Sequence, residues 1–139
     1  MKRNQHTIGK DVTYKGLGLH SGMPVTMTIY SAAPGTGIIF KRSDLPGGPE
    51  VPAQSRYITN TLRATTLEKG EAKVFTVEHV LSALYALQID NCVIEMDSPE
   101  PPVGDGSAKT FCDMVEEAGI ETQEEMIPIL TLDTSAVSY

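Results

Sequence analysis

Thr76-Val77-Glu78-His79-Val80-Leu81-Ser82-Ala83-Leu84-Tyr85-Ala86-Leu87 is the stretch that decides the fold. Val77, Val80, Leu81, Leu84 and Leu87 recur at helical spacing, and Thr76 stands where a hydroxyl would cap the free N–H groups of a first turn. Ala83 and Ala86 fall off that stripe, which leaves Glu78, His79, Ser82 and Tyr85 as the polar-capable positions. A helix this apolar calls for cover on more than one face, and a sheet on one side cannot supply it all.

Upstream, the pattern switches to strands. Val25-Thr26-Met27-Thr28-Ile29-Tyr30 alternates apolar and polar residues, the period-two mark of a half-buried strand, and residues 11–14 are placed to pair with it as a hairpin. Gly37-Ile38-Ile39-Phe40-Lys41 reads as a third strand, bounded by Ala33-Pro34-Gly35-Thr36 and by the exposed turn formers Leu45-Pro46-Gly47-Gly48-Pro49. Residues 62–67 and 72–75 flank Glu68-Lys69-Gly70-Glu71 as a short hairpin, with Gly70 taking the positive φ.

Downstream, Ile89-Asp90-Asn91-Cys92-Val93-Ile94-Glu95-Met96 forms another strand, and Ser98-Pro99-Glu100-Pro101-Pro102 must be loop because its prolines cannot extend a ladder. A second helix spans residues 107–118, with Phe111, Met114, Val115 and Ala118 on one side, Asp113, Glu116 and Glu117 on the other, and Gly119 as its C-cap. Residues 127–132 begin one more strand, and the run stops at Tyr139 without a polar tail, as a chain divided partway through its protein would. The elements together give the α+β class.

The chain has 139 residues, the size of one domain and short for an enzyme that needs a cleft between two. Eleven Lys and Arg against eighteen Asp and Glu give a net charge of −7, which argues against a nucleic-acid surface or a polybasic membrane anchor. Met1-Lys2-Arg3-Asn4-Gln5-His6 precedes no apolar signal region and no stretch reaches the length of a transmembrane segment, so the expected location is cytoplasmic. Cys92 and Cys112 belong to no Cys-x-x-Cys pair and read as buried free thiols.

Three segments carry chemistry. In Glu78-His79 the partial positive charge of a helix start favours a carboxylate anion and a neutral imidazole, the forms a general base and a metal ligand require. A catalytic zinc takes three protein ligands and leaves a position for water, whose proton a nearby carboxylate can remove. Taken as a dipeptide alone, the plainer reading, a favourable start to a surface helix, carries more weight. Gly16-Leu17-Gly18-Leu19-His20-Ser21-Gly22 sets three glycines around His20, allowing close approach of backbone to a ligand; a glycine-rich hairpin with a solvent-facing His explains the spacing equally well. No helix follows it, so it is no dinucleotide fingerprint. Pro101-Pro102-Val103-Gly104-Asp105-Gly106-Ser107-Ala108 delivers Asp105 just ahead of a helix start, where an ordinary Asp/Ser cap is the stronger of the two readings. His6 is assigned no role, and no local His-x-x-x-His pair supports a zinc hydrolase of another kind.

In their order, Gly18-Leu19-His20-Ser21-Gly22, Thr76-Val77-Glu78-His79, Ile89-Asp90-Asn91 and Asp105-Gly106-Ser107-Ala108 make the chain resemble the first half of the zinc-dependent UDP-3-O-acyl-N-acetylglucosamine deacetylases of lipid A biosynthesis in Gram-negative bacteria. The resemblance runs from about Gln5 to Gln123. It implies a two-layer domain, a mostly antiparallel sheet with two main helices on one face, packed helix layer to helix layer against a second domain. It assigns residues 1–125 to the N-terminal deacetylase domain and 126–139 to the start of a strand leading to the missing one. Glu78 corresponds to the general base, His79 to a zinc ligand, Leu19 and His20 to positions lining the cleft for the UDP-sugar lipid substrate, and Asp105 to a supporting acidic residue. Ala64 stands where many members have a cysteine near the metal.

The remaining zinc ligands, a His and an Asp four residues apart, with a catalytic histidine and a lysine, belong by the same resemblance to the second domain. One ligand cannot hold a catalytic zinc, so the expectation is a metal-dependent amide hydrolase as the full-length protein, with this chain alone inactive. The rival expectation is a non-catalytic interaction module of the same fold, a homodimer formed through the helix face the missing domain would have covered.

Overall fold

The computed structural model describes residues 3–129 together with Thr131 and Ser135. The chain runs β1 (Asn4–Ile8), β2 (Val12–Leu17), β3 (Pro24–Ser31), β4 (Ile38–Arg42), β5 (Glu50–Pro52), a short 3₁₀ turn (Ser55–Tyr57), β6 (Ile58–Asn60), β7 (Thr66–Lys69), β8 (Ala72–Phe75), α1 (Glu78–Ala86), β9 (Cys92–Met96), α2 (Lys109–Ala118) and β10 (Ile120–Met126).

The expected hairpin of β2 and β3 anchors a five-stranded sheet of order β2-β3-β9-β4-β5, antiparallel except for the β4–β9 pair. Alternation then does what its period requires: Val25, Met27 and Ile29 of β3 are buried beside Cys92, Ile94 and Met96 of β9 and Phe40 of β4, while Thr26, Thr28 and Tyr30 face outward. Val80, Ala83 and Leu84 of α1 and Phe111, Met114, Val115 and Ala118 of α2 close the same core, with the two helices packed on each other and α2 lying over β2. The fold is α+β, as the sequence pattern indicates.

Two smaller pieces complete it. The hairpin of β7 and β8 turns at Gly70, φ +58°, and carries β6 on its outer edge. The strand β1 pairs with β10, Ile8 opposite Ile120 and Asn4 opposite Met126. Beneath this ribbon the Asn91 amide donates to Gln5 Oε1 and Gln123 Oε1, each at 2.8 Å, and its oxygen accepts the Gly37 N–H at 2.8 Å. Arg3 grips Asp90 through two nitrogens at 2.6 and 3.0 Å, so the Ile89-Asp90-Asn91 segment ties the ribbon to the main sheet.

Several expectations need correction. The helix begins at Glu78, and Thr76 does not cap it: its φ of +58° turns the hydroxyl away, and that hydroxyl donates to Glu100 Oε1 at 2.7 Å. The last strand is Ile120–Met126 and ends just before the expected one begins, because its hydrogen bonds belong to β1; residues 127–129 are irregular, and Leu130 and Leu132 lie outside the described residues. Residues 62–65 form no strand, since Arg63 adopts φ +62° and the Leu62 N–H is taken by the Asn60 side chain at 2.8 Å. Among the described residues nothing covers the second side of α1, the side for which its apolar pattern calls for further cover and which is expected to be bare in this chain: Tyr85 is 87% exposed and Ala86 also faces solvent. Both cysteines are free thiols, but only Cys92 is buried; Cys112 is half-buried. Among the described residues no helix is long and apolar enough to cross a membrane.

Candidate active site

The turn from β8 into α1 is two residues long. Val77 is wholly buried and pins the start of the helix, which leaves Glu78 exposed and His79 half-buried on the first turn. One carboxylate oxygen of Glu78, Oε1, accepts the backbone N–H of Thr65, so the loop before β7 orients the carboxylate and leaves its second oxygen available. The His79 ring receives no hydrogen bond from the described residues; its backbone carbonyl accepts the Ser82 hydroxyl at 2.8 Å. An accessible imidazole without a partner, beside an oriented carboxylate, has the donor chemistry of one zinc ligand and its neighbouring base. Three protein ligands are the norm for catalytic zinc. Among the described residues no three His, Cys, Asp or Glu side chains gather into such a cage.

The glycine-rich loop reaches this helix start through a residue that the sequence pattern did not single out. Glu100 is fully buried, at 0% exposure. Its Oε2 accepts the Ser21 N–H at 2.8 Å, both oxygens share the His20 N–H at 3.0 and 3.1 Å, and Oε1 takes the Thr76 hydroxyl. Burial pushes the Glu100 pKa up, but the two amides and the hydroxyl outweigh it and hold the carboxyl below its ordinary value. The loop closes on itself through Gly18 N–H to the Met23 carbonyl at 2.9 Å and Gly22 N–H to the Gly18 carbonyl at 3.1 Å. Leu19 and His20 are thereby displayed to solvent at a fixed backbone position.

Residues 98–103 form the wedge that carries Glu100. The Phe75 N–H donates to the Pro99 carbonyl at 3.0 Å on one side, and the Val103 N–H to the Leu17 carbonyl at 2.8 Å on the other. A signal for Glu100 did exist: it sits in Ser98-Pro99-Glu100-Pro101-Pro102, where the flanking prolines offer no N–H, so a carboxylate buried there must find its donors on other segments.

Asp105 is placed differently. It is exposed, and its Oδ1 accepts the Ser107 N–H at 2.9 Å and the Ser107 hydroxyl at 2.8 Å, which hold its pKa below the ordinary aspartate value. Ser107 Oγ in turn accepts the Lys109 N–H at 3.0 Å at the opening of α2. Asp105 thus organises a helix start and makes no hydrogen bond with Glu78, His79 or His20.

Residues 5–138 match the model of the UDP-3-O-acyl N-acetylglycosamine deacetylase family, LpxC. The chain belongs to this family. Among its relatives, a UDP-3-O-acyl-N-acetylglucosamine deacetylase of Anaeromyxobacter dehalogenans is 47% identical over 118 residues, 85% of this chain and 38% of that protein. The deacetylase of Chlamydia felis is 42% identical over 132 residues, 95% of this chain and 47% of its own length. A protein of Chlorobaculum tepidum named bifunctional enzyme LpxC/FabZ is 45% identical over 130 residues, 94% of this chain and 28% of its length. The chain therefore spans less than half the length of these LpxC relatives.

Proposed function

We propose that this chain is the N-terminal half of a zinc-dependent deacetylase that hydrolyses the N-acetyl group of UDP-3-O-acyl-N-acetylglucosamine, a step of lipid A biosynthesis in the Gram-negative cytoplasm. Residues 1–125 are the domain and 126–139 lead to a second one. The observation that carries the reading is the helix start: an oriented Glu78 carboxylate beside an unpartnered His79 imidazole, in a chain of the LpxC family.

In this reading His79 supplies one zinc ligand and the second domain supplies the rest. Zinc, when bound, acts as a Lewis acid that polarises the acetyl carbonyl and lowers the pKa of water. Glu78 takes the proton from the attacking water on the oxygen that the Thr65 amide leaves available. The water oxygen bonds to the acetyl carbon, the C–N bond breaks, and the proton passes on to the departing amine, giving acetate and a free amino sugar. Leu19 and His20 line the substrate side of the cleft, and Asp105 supports it from the start of α2.

Activity and bound zinc, measured together on the full-length protein, test this. Glu78→Gln should keep stoichiometric zinc and lose about 10²–10⁴-fold in kcat, whereas His79→Ala should lose the zinc. Stoichiometric zinc and turnover by the 139-residue chain alone would overturn the half-site assignment. A second reading, a dimerisation module, draws on the bare side of α1 around Tyr85. A concentration-dependent dimer in sedimentation velocity, with no zinc and no deacetylation by the full-length protein, would favour it.

A further inference from the structure

We infer that Glu100 is a positioning residue for the deacetylation proposed above: through Thr76 it locks the Leu19–His20 loop to the start of α1, so that the substrate side and the base side of the site move as one body. The inference rests on that functional reading for its consequence in catalysis, but the mechanical link stands on its own contacts.

Two observations carry it. Glu100 is the shared acceptor of two elements far apart in sequence, the amides of His20 and Ser21 and the hydroxyl of Thr76. No hydrogen bond of the described residues joins His20 directly to Glu78 or His79. Thr76, meanwhile, holds φ +58° two residues before Glu78. A β-branched residue is a poor choice for left-handed backbone and persists there only where its surroundings determine it. Glycine or asparagine would suit that backbone better; what threonine adds is the hydroxyl that Glu100 accepts. The geometry of the joint is therefore set by a bond to the loop across the site.

The design predicts action at a distance. Thr76→Ala removes the hydroxyl and one γ-branch, which on backbone grounds is tolerated at least as well as threonine. The Thr76 hydroxyl bonds Glu100 and makes no hydrogen bond to His20 or Ser21. In the full-length protein, hydrogen exchange followed by mass spectrometry should nevertheless show the His20 and Ser21 amides exchanging about tenfold faster, as Glu100 loses its anchor on the helix side. The same variant should lower kcat more than it raises KM, and Thr76→Ser, which restores the hydroxyl, should return both readouts toward wild type. Glu100→Gln is the companion variant: its amide nitrogen can donate to Thr76 Oγ1 while its oxygen keeps the loop amides, so it should retain most of the protection that Glu100→Ala loses.

Exchange at His20 and Ser21 within twofold of wild type in Thr76→Ala would overturn the coupling, as would a Thr76→Ser protein no better than Thr76→Ala. If the wild-type protein proves not to deacetylate, the proposed function falls while the exchange comparison still decides the link.

Discussion

Gly18→Ala tests the packing around Glu100 most sharply. A Cβ on Gly18 would overlap Ser21 Oγ and Glu100 Oε2 and lie 3.1 Å from Glu100 Cδ. Ser21 can rotate away, giving up its 3.2 Å bond from the Met23 N–H, but Glu100 is sealed in and cannot retreat without stretching its bonds to the His20 and Ser21 amides. Overpacking of a filled site costs about 1–3 kcal/mol, and a weakened hydrogen bond to a charged group adds about 1.5–3 kcal/mol before relaxation. An expected loss of about 2–4 kcal/mol follows once relaxation is allowed for, or a fall in Tm on the order of 8–16 °C for a domain of this size. Urea denaturation should show a lower midpoint at unchanged slope. Gly22→Ala is the comparison within the same loop: it has open space but φ +63°, so it should lose only the roughly 1–2 kcal/mol of left-handed backbone. Glu100→Asp, which draws the carboxylate back by one methylene, should be less harmful in the Gly18→Ala background than in wild type. Strict additivity of those two changes, or a Gly18→Ala protein within about 0.5 kcal/mol of wild type, would refute the argument.

Two further outcomes concern titrating groups. Burial raises the Asp90 pKa, but the Arg3 guanidinium and the His6 amide outweigh it and hold the folded-state value below the ordinary 3.8. Its stabilisation is thus complete above that value and is lost as pH falls from 3.8 through the lower folded pKa; Asp90→Asn should flatten that part of the acid limb in urea midpoints taken from about pH 5 to about pH 2.5. Burial pushes the Cys92 thiol up to about 12, so iodoacetamide at mildly alkaline pH should label half-buried Cys112 in the native protein and reach Cys92 only on unfolding, as peptide mass spectrometry would record.

Much of this architecture was legible because it depends on local period and punctuation. The alternation of residues 25–30, the amphipathic pattern of residues 109–118 and the glycines at 70 and 119 each act within a few residues of themselves. Thr76 misled because a threonine before an apolar run is a cap only if its backbone is extended, and here a partner 24 residues away sets the backbone otherwise. Glu100 was passed over for the same reason: nothing adjacent to it donates, and its importance lies wholly in segments that the fold brings to it. The run from residue 127 was apolar enough to read as strand, yet the partner β1 offers was already spent on residues 120–126, and the described residues 127–129 are irregular. Glu78 and His79 were found as a pair, but the Thr65 amide that aims the carboxylate has no side-chain identity to betray it. Asp105 followed its plainer reading, a cap on the turn into α2.

The ribbon of β1 and β10 fixes an order of assembly. Ile8 waits for Ile120, about 110 residues later, which at roughly 5–20 residues per second is on the order of ten seconds of synthesis. The Asp90 and Asn91 N–H groups, which bond the His6 carbonyl at 2.9 and 3.1 Å, emerge earlier and give β1 its first hold on the sheet. Until β10 arrives, the other edge of β1 is an open row of backbone donors and acceptors, the form of strand that recruits neighbouring chains. A nascent chain stalled before residue 120 should therefore be the species most in need of a chaperone, and release of that need should coincide with synthesis of β10 rather than with completion of the core.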